Sequence, residues 1–268
     1  MNQKPEETEQ SPQYKSMVNK LPEITFLFWI IKLLTTGMGE TTSDYLVNEI
    51  EPILAVIIGA SGLVVSLIIQ FSVRRYIPWV YWLAITMVAI FGTMAADIIH
   101  VVLGISYPIS TVGFAVVLGI IFAVWYKSEK TLSIDQIYTF RRELFYWATV
   151  MATFALGTAA GDLTASTLGW GYFTSGLLFA VLFALPLIAY WRSGFTQVGA
   201  FWLAYILTRP LGASFADWIG VPQNRGGVGF GTGPISLVLG IIIIGLVAYL
   251  TYSGKDSKVV DGVNTKSD

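Results

Sequence analysis

The chain has 268 residues, of which 54% are hydrophobic and only 12% are charged, and its mean hydropathy is +0.66. These values exclude an ordinary soluble domain and indicate a membrane protein. The net charge of −1 gives no sign of a nucleic-acid partner, and a chain without cysteine can form neither disulfides nor thiolate metal sites.

Eight membrane-spanning helices are predicted along the chain. Six uncharged stretches are near or above the length needed to cross a ~30 Å hydrocarbon core. The lightly charged stretches around Lys32 and Arg209 add two more. The predicted spans are 23–47, 52–73, 77–102, 108–126, 143–167, 171–191, 195–219 and 232–252.

The two ends of the chain are polar. Residues 1–20 are predicted to be a disordered cytosolic tail, because they lack the basic start and apolar stretch of a cleaved signal peptide. Residues 255–268 are predicted to form a second cytosolic tail. A single transmembrane domain is therefore expected over 21–254.

One sequence unit occurs four times: an aromatic-Trp pair, a Gly ten residues after the Trp, and an Asp fifteen residues after it. Each interval between successive units contains two spans, so every repeat enters the membrane in the same direction. We predict an all-α integral membrane protein of four parallel two-helix repeats, pseudo-symmetric about the membrane normal. The repeats cover about 21–75, 76–127, 140–192 and 194–254. The units are Phe28-Trp29, Gly39 and Asp44; Tyr81-Trp82, Gly92 and Asp97; Tyr146-Trp147, Gly157 and Asp162; and Phe201-Trp202, Gly212 and Asp217.

The distribution of Lys and Arg predicts the orientation. With the N-terminus in the cytoplasm, all 16 of these residues except Lys32, Arg209 and Arg225 lie at the inner side. The positive-inside rule therefore predicts a multi-pass protein of the inner (plasma) membrane with both termini in the cytoplasm. The lipid bilayer is its expected partner, and the sequence gives no oligomeric state.

Each unit carries a second small residue four positions after its Gly. Residues four apart lie one turn above each other on a helix, so such pairs form a flat stripe that lets two helices approach closely. We expect the odd-numbered helices to pack on one another through these stripes and to gather the four Asp residues around a shared axis. For a single match, helix packing alone is the alternative. The pairs are Gly39 and Ser43, Gly92 and Ala96, Gly157 and Gly161, and Gly212 and Ala216.

The repeated Asp residues are the main candidates for ion binding. A cap could equally be Ser, Thr or Asn, so an Asp in all four copies indicates a charge or an ion ligand. In copy one, Glu40 lies one turn before Asp44, and the two carboxyl groups could share a proton or bind a hard cation. The candidate ion-binding residues are Glu40, Asp44, Asp97, His100, Asp162 and Asp217.

His100 is the one histidine of the sequence and lies one turn after Asp97. This pair could bind a transition metal or relay a proton, although a lone His more often hydrogen-bonds a neighbour. The candidate metal ligands are Glu40, Asp44, Asp97 and His100.

Lys32 and Arg209 are cations inside predicted spans. Because an unpaired guanidinium near the middle of a bilayer is costly, we expect Arg209 to have a partner, and both residues could reach carboxylates on neighbouring repeats. The alternative is a purely structural network of ion pairs that holds the helices together. Pro210 is expected to kink its helix, because it removes a backbone donor.

Three motifs resemble a bacterial multi-pass membrane-protein family that is built from a repeat of unknown function. They are Gly-Glu-Thr-x-x-Asp of copy one, Gly-Thr-Ala-Ala-Gly-Asp at 157–162 and Thr-Arg-Pro-Leu-Gly-Ala-Ser-Phe-Ala-Asp at 208–217. The resemblance covers about 22–252, and it implies a membrane protein but no particular activity. The Gly-Glu-Thr segment also resembles acidic motifs of small cation exchangers, without their Gly-Asp-Lys/Arg continuation.

The leading hypothesis is a secondary transporter or exchanger of a cation, either a divalent metal or a proton-coupled ion. One alternative is a channel in which the four carboxylates form a selectivity ring. Another is a scaffold or sensor that transports nothing. An enzyme is not expected, since the sequence has no His-Glu-x-x-His motif and no Ser/His pairing. No cofactor is expected either.

Overall fold

The computed structural model describes residues 19–256, and the regular elements in this range are helical. Eight α-helices, each 21 to 24 residues long, follow one another along the chain. The predicted spans agree with their ends to within about three residues, counting the π-helical turn Leu163–Thr167 with the fifth helix. The helices are α1 (Phe26–Glu49), α2 (Pro52–Ser72), α3 (Pro78–Val101), α4 (Tyr107–Glu129), α5 (Phe140–Asp162), α6 (Gly171–Ser193), α7 (Gln197–Gly220) and α8 (Thr232–Ser253).

Local sequence accounts for where several helices begin and end. The hydroxyl groups of Thr25, Thr139 and Thr196 accept backbone N–H groups at the starts of α1, α5 and α7. A proline stands in the first turn of α2, α3 and α4, where its missing N–H costs nothing. Helices α6 and α8 end at Gly194 and Gly254, whose φ angles of +67° and +63° favour glycine.

Six helices, α2 to α6 and α8, are long and apolar enough to cross a membrane. The even-numbered helices expose apolar side chains such as Val65, Val116 and Val181, as surfaces that contact lipid do. The chain is therefore an integral, multi-pass membrane protein with internal repeats. Six of the eight predicted spans therefore coincide with helices that could cross a membrane. Helices α1 and α7 are equally long, at 24 residues, but they carry buried charged side chains.

The odd-numbered helices form a closed ring around one axis. Helix α1 contacts α3, α3 contacts α5, α5 contacts α7, and α7 returns to α1. Outside the ring, α2 packs on α3, α4 on α5, α6 on α7 and α8 on α1. Each outer helix therefore packs against the odd-numbered helix of the next repeat, and the fourth repeat joins the first in the same way.

The predicted tails fall mostly on 1–18 and 257–268, which lie outside the described residues. Lys20, at the end of the first predicted tail, is packed: its Nζ atom donates to the buried carboxylate of Glu143 at 2.6 Å. The backbone N–H of Lys20 also donates to the carbonyl oxygen of Ile137. The prediction of disorder is therefore wrong at Lys20, because an ion pair fixes it to α5.

Asp256, inside the second predicted tail, is also buried and bonded. The hydroxyl group of Tyr76, in the loop between α2 and α3, donates to its carboxylate. The backbone N–H of Glu23 donates to the backbone carbonyl of Asp256 at 3.0 Å. These bonds join the two ends of the described chain, so the tail begins later than position 255.

Candidate functional site

The aromatic residue that precedes each repeated Trp lies at one end of the axis. Phe28, Tyr81, Tyr146 and Phe201 are buried, and we call these four residues the aromatic layer. The ring centroids of Phe28 and Phe201 are 6.3 Å apart, and the hydroxyl oxygens of Tyr81 and Tyr146 are 2.6 Å apart. Equivalent positions thus meet at the axis, which indicates that the four helices run in the same direction.

The Gly of each repeat lies against the next odd-numbered helix of the ring. A Cβ atom added at Gly92, for example, would stand 2.8 Å from the Cβ atom of Phe154, closer than real Cβ atoms approach. The partner residue always stands seven positions after its own Trp. One contact is therefore repeated four times around the ring. The pairs are Gly39 with Ala89, Gly92 with Phe154, Gly157 with Arg209 and Gly212 with Thr36.

The second small residue of each stripe is buried, but its packing is looser where it is also a glycine. A Cβ atom added at Gly161 would find its nearest neighbour 3.8 Å away, an ordinary van der Waals distance. The close approach of the helices therefore depends on the first residue of the pair in this repeat. The second residues are Ser43, Ala96, Gly161 and Ala216.

Arg209 crosses the axis and contacts the other three repeats. Its Nη2 atom donates to the carboxylate of Glu40 in α1 and to the hydroxyl group of Thr93 in α3. The same atom lies 2.9 Å from the hydroxyl oxygen of Thr158 in α5, and Nη1 donates to the carbonyl oxygen of Thr36 at 3.2 Å. Arg209 and Glu40 are 1% and 5% exposed, so this ion pair is held away from solvent.

The acceptors around Arg209 occupy equivalent positions. Glu40, Thr93 and Thr158 each stand eleven residues after the Trp of their repeat, and the fourth repeat has Ala213 there. Sequence analysis missed Thr93 and Thr158 as partners of Arg209. Their shared offset from the Trp was the signal that would have identified them.

The four repeated Asp residues lie beyond Arg209, one turn further along their helices than this ring of acceptors. Glu40 and Arg209 both interact electrostatically with each of the four. The structure thus places the four carboxylates of the repeats within electrostatic range of Glu40 and Arg209. We call this set the acidic site. It consists of Glu40, Asp44, Asp97, Asp162 and Asp217.

Two features of the acidic site suit a ligand. Asp217 is 6% exposed, and its Oδ1 atom has no hydrogen-bond partner in the part of the chain that the structure describes. Directly after Asp162, the helix widens into the π-helical turn Leu163–Thr167. Such turns occur frequently at functional sites. Arg225, from the loop after α7, is a second cation that interacts with Asp44.

The structure overturns the prediction that Lys32 pairs with a carboxylate. Its Nζ atom is fully buried and lies 4.1 Å and 4.2 Å from the ring centroids of Phe154 and Tyr205. Within residues 19–256 this atom has no hydrogen-bond partner. The reason is distance along the axis. Lys32 stands three residues after its Trp, whereas Glu40 and the repeated Asp residues stand eleven and fifteen residues after theirs, a difference in rise of at least about 12 Å.

His100 is engaged in the connection between α3 and α4. Its Nδ1 atom is 2.7 Å from the carbonyl oxygen of Ile105, and its Nε2 atom is 3.1 Å from the hydroxyl oxygen of Ser110. Both ring nitrogens are therefore occupied, which contradicts a metal pair with Asp97.

The proposed metal ligands Glu40, Asp44, Asp97 and His100 do not form a preformed metal centre. Among the described residues, no group of three or more His, Cys, Asp or Glu side chains is arranged to hold a metal ion. The Asp carboxylates of the acidic site interact with Glu40 through their charges.

The fold and this site define a multi-pass membrane protein whose four repeats surround one polar axis. The family described as Repeat of Unknown Function (DUF347) matches the chain four times, over residues 27–76, 80–131, 145–196 and 200–256. The chain belongs to this family. No curated protein and no solved structure matches it.

Proposed function

We propose that the protein is a secondary transporter or exchanger of a cation, with the acidic site as its ion-binding site. The observation that carries this proposal is the convergence of five carboxylates from four repeats near one buried guanidinium. Such an excess of negative charge in a protein interior is costly unless a cation or protons compensate for it. A divalent metal ion or a cation exchanged for protons would do so.

The membrane topology forms part of this proposal. Helices α1 and α7 cross the membrane with the other six, because the apolar helices surround them and their charged groups face the axis. The repeats are then parallel pairs of helices, pseudo-symmetric about the membrane normal. The positive-inside rule supports an orientation with the aromatic layer near the cytoplasm, the acidic site in the outer half of the plasma membrane and both termini in the cytoplasm.

A carrier suits the axis better than a channel does. Between the acidic site and the aromatic layer, the axis contains the buried cations Arg209 and Lys32. A cation that moved straight through would have to pass both charges and then the packed aromatic rings. The Arg209–Glu40 ion pair would instead have to rearrange during transport, and this requirement favours alternating access.

Ion flux into liposomes tests the proposal. Purified protein is reconstituted with a pH-sensitive dye inside the vesicles, and gradients of Na⁺, K⁺, Mg²⁺ and Mn²⁺ are imposed one at a time. We expect at least one cation to drive proton or ion movement. Each single substitution Asp44→Asn, Asp97→Asn, Asp162→Asn and Asp217→Asn should slow that movement at least tenfold.

Glu49→Gln is the matched control, because this carboxylate lies on α1 five residues after Asp44 but is exposed. Its flux should equal that of the wild type, and all variants should keep their melting temperature and elution volume. The proposal fails if the wild-type protein moves none of these cations, or if all four Asp variants transport normally.

One observation favours a second function, that of a scaffold without transport. Arg209 bonds to all three other repeats, which is the arrangement expected of a purely structural clamp. Under this alternative, the Asp variants are without effect on any flux, while removal of Arg209 unfolds the protein. The liposome assay and the unfolding measurement described below therefore separate the two functions.

A further inference from the structure

The segment just before α1, residues 19–25, lies across the end of the axis that carries the aromatic layer, and we call it the strap. It leads into α1 at Phe26, whereas Lys20 is bonded to the other side of the ring. The backbone N–H of Lys20 donates to the carbonyl oxygen of Ile137, and its Nζ atom donates to Glu143 in the first turn of α5. Around the ring, α1 stands between α3 and α7, so α5 is opposite α1. The strap therefore spans the ring from one side to the other.

The neighbours of Glu23 show that the strap passes over the axis and not around the ring. On one side, its backbone N–H donates to the carbonyl oxygen of Asp256, whose carboxylate accepts a hydrogen bond from Tyr76 in the loop before α3. On the other side, Glu23 lines a cavity together with Val198 in the first turn of α7. Helices α3 and α7 are the second opposite pair of the ring, so the strap runs between their ends.

The strap buries an apolar side chain next to the aromatic layer. Leu21 is 5% exposed and belongs to the same hydrophobic core cluster as the four residues of that layer. Ile134 and Ile137, from the loop between α4 and α5, are buried in this cluster as well. Closely packed aliphatic side chains leave few voids that could hold water. The strap is therefore part of a plug that closes this end of the axis.

A buried ion pair fastens the strap. The Nζ atom of Lys20 lies 2.6 Å from Oε2 of Glu143, and the amide nitrogen of Gln70 in α2 donates to Oε1 at 2.9 Å. Lys20 is 9% exposed and Glu143 is fully buried, so the seated strap shields both charges from solvent. A buried carboxylate is costly without its cation, but water would hydrate both charges if the strap swung out. The fastening can therefore open and close without leaving an unpaired buried charge.

We propose that the strap is a gate at this end of the axis, shut by the Lys20–Glu143 ion pair and opened when the pair separates. The inference rests on the proposed function, because a cation that travels between the acidic site and this end of the axis has to pass the strap. Opening withdraws Leu21 together with Lys20, since the two residues are adjacent in the chain. The ion pair then determines how often the axis opens at this end.

Cross-linking the strap in place tests the inference. The sequence has no cysteine, so two introduced cysteines react selectively. The full-length variant Lys20→Cys/Glu143→Cys is reconstituted, and its thiols are linked by a short, membrane-permeant bis-methanethiosulfonate reagent. We expect the ion flux of the liposome assay to fall at least tenfold on cross-linking and to return on reduction with dithiothreitol. Asn19→Cys/Ile134→Cys should behave in the same way, because it fixes the strap where the Asn19 amide donates to the Ile134 carbonyl oxygen and keeps the ion pair.

Glu129→Cys/Arg142→Cys is the matched control. These two residues form an ion pair with an N···O distance of 2.9 Å between the end of α4 and the start of α5, and neither belongs to the strap. The cross-linked control should keep its flux. Normal flux through either cross-linked strap variant, or an equal loss in the control, would overturn the inference alone. Absence of flux in the untreated wild type would instead contradict the proposed function, and the inference with it.

Discussion

At each end of the axis all four repeats contribute the same type of side chain, whereas in the middle the side chains differ between repeats. At one end every repeat contributes a buried aromatic side chain, and at the other end every repeat contributes an Asp. In the middle, the position seven residues after the Trp is Thr36, Ala89, Phe154 or Arg209. The ends therefore preserve the fourfold symmetry of the duplication, whereas the middle preserves it in its glycines but not at the positions that face them.

Electrostatics explains why the middle had to diverge. Four arginines at the position of Arg209 would bring four guanidinium groups to one axis, and four residues like Glu40 would gather four further carboxylates. Like charges gathered at one axis repel each other strongly in a low-dielectric interior. A single Arg209–Glu40 ion pair avoids this repulsion, and it can arise only after the repeats have become different. Asymmetry in the middle thus lets two opposite charges meet there, which four identical repeats could not provide.

Among the changes to the middle of the axis, replacing the guanidinium of Arg209 should lower stability the most. Arg209→Met leaves the buried carboxylate of Glu40 without its ion-pair partner, and we expect a loss of about 3–5 kcal/mol in the free energy of unfolding. Denaturant titration of the purified protein in detergent measures it. Arg192→Met, at the exposed end of α6, should change stability by less than about 0.5 kcal/mol. The double variant Glu40→Met/Arg209→Met should recover most of the loss, because no unpaired charge then remains buried.

The glycine contacts can be tested with two substitutions one turn apart. Gly157→Ala would place a Cβ atom 2.6 Å from the Cβ atom of Arg209 and 2.9 Å from Cδ of Pro210, so we expect a destabilisation of about 1–3 kcal/mol. Gly161→Ala meets nothing closer than 3.8 Å and should be neutral or stabilising by up to about 1 kcal/mol, because alanine favours helix. Thermal unfolding of both variants measures the difference. Equal melting temperatures would show that the repeated contact is not tight.

The smallest expected effect lies at the aromatic end of the axis. Burial, and then the hydrogen bond to Asp256, raise the pKa of the Tyr76 phenol above its ordinary value of 10. The neutral phenol therefore stabilises the folded state at pH 7, and this contribution declines as the pH rises above about 10. Tyr76→Phe should lower stability at pH 7 by about 1 kcal/mol and reduce the alkaline loss. Melting temperatures between pH 7 and 11 measure both effects.

Tyr252→Phe is the control for this measurement, because that side chain is 97% exposed. It should melt like the wild type at each pH. If Tyr76→Phe shows the same stability and the same alkaline profile as Tyr252→Phe, the bond to Asp256 contributes nothing.

The sequence was sufficient to predict what depends on spacing along one helix. The helix ends followed from the length of the apolar stretches. The fixed offsets of Gly and Asp from each Trp predicted that the odd-numbered helices meet and that their carboxylates converge. These features repeat, and each copy supports the interpretation of the others.

What could not be predicted depends on the reach of side chains between helices. To predict the bonds of Arg209 to Thr93 and Thr158, one must know how far α7 is shifted along the axis relative to α3 and α5. Lys32 was expected near a carboxylate, but its position on α1 puts its Nζ atom beside the aromatic rings of Phe154 and Tyr205. The ring of His100 does not pair with Asp97. It hydrogen-bonds instead to Ile105 and Ser110, which follow it in the chain at the connection between α3 and α4.

The bond between the N–H group of Glu23 and the carbonyl group of Asp256 has a consequence for how the chain is connected. Because α8 packs on α1 as α2 packs on α3, the boundary between the last repeat and the first is built like the other boundaries. The order of the repeats is therefore nearly circular. A permuted gene that joins position 256 to position 19 through a short linker, and begins in the loop 130–139, would encode the same ring of helices and the same four boundaries.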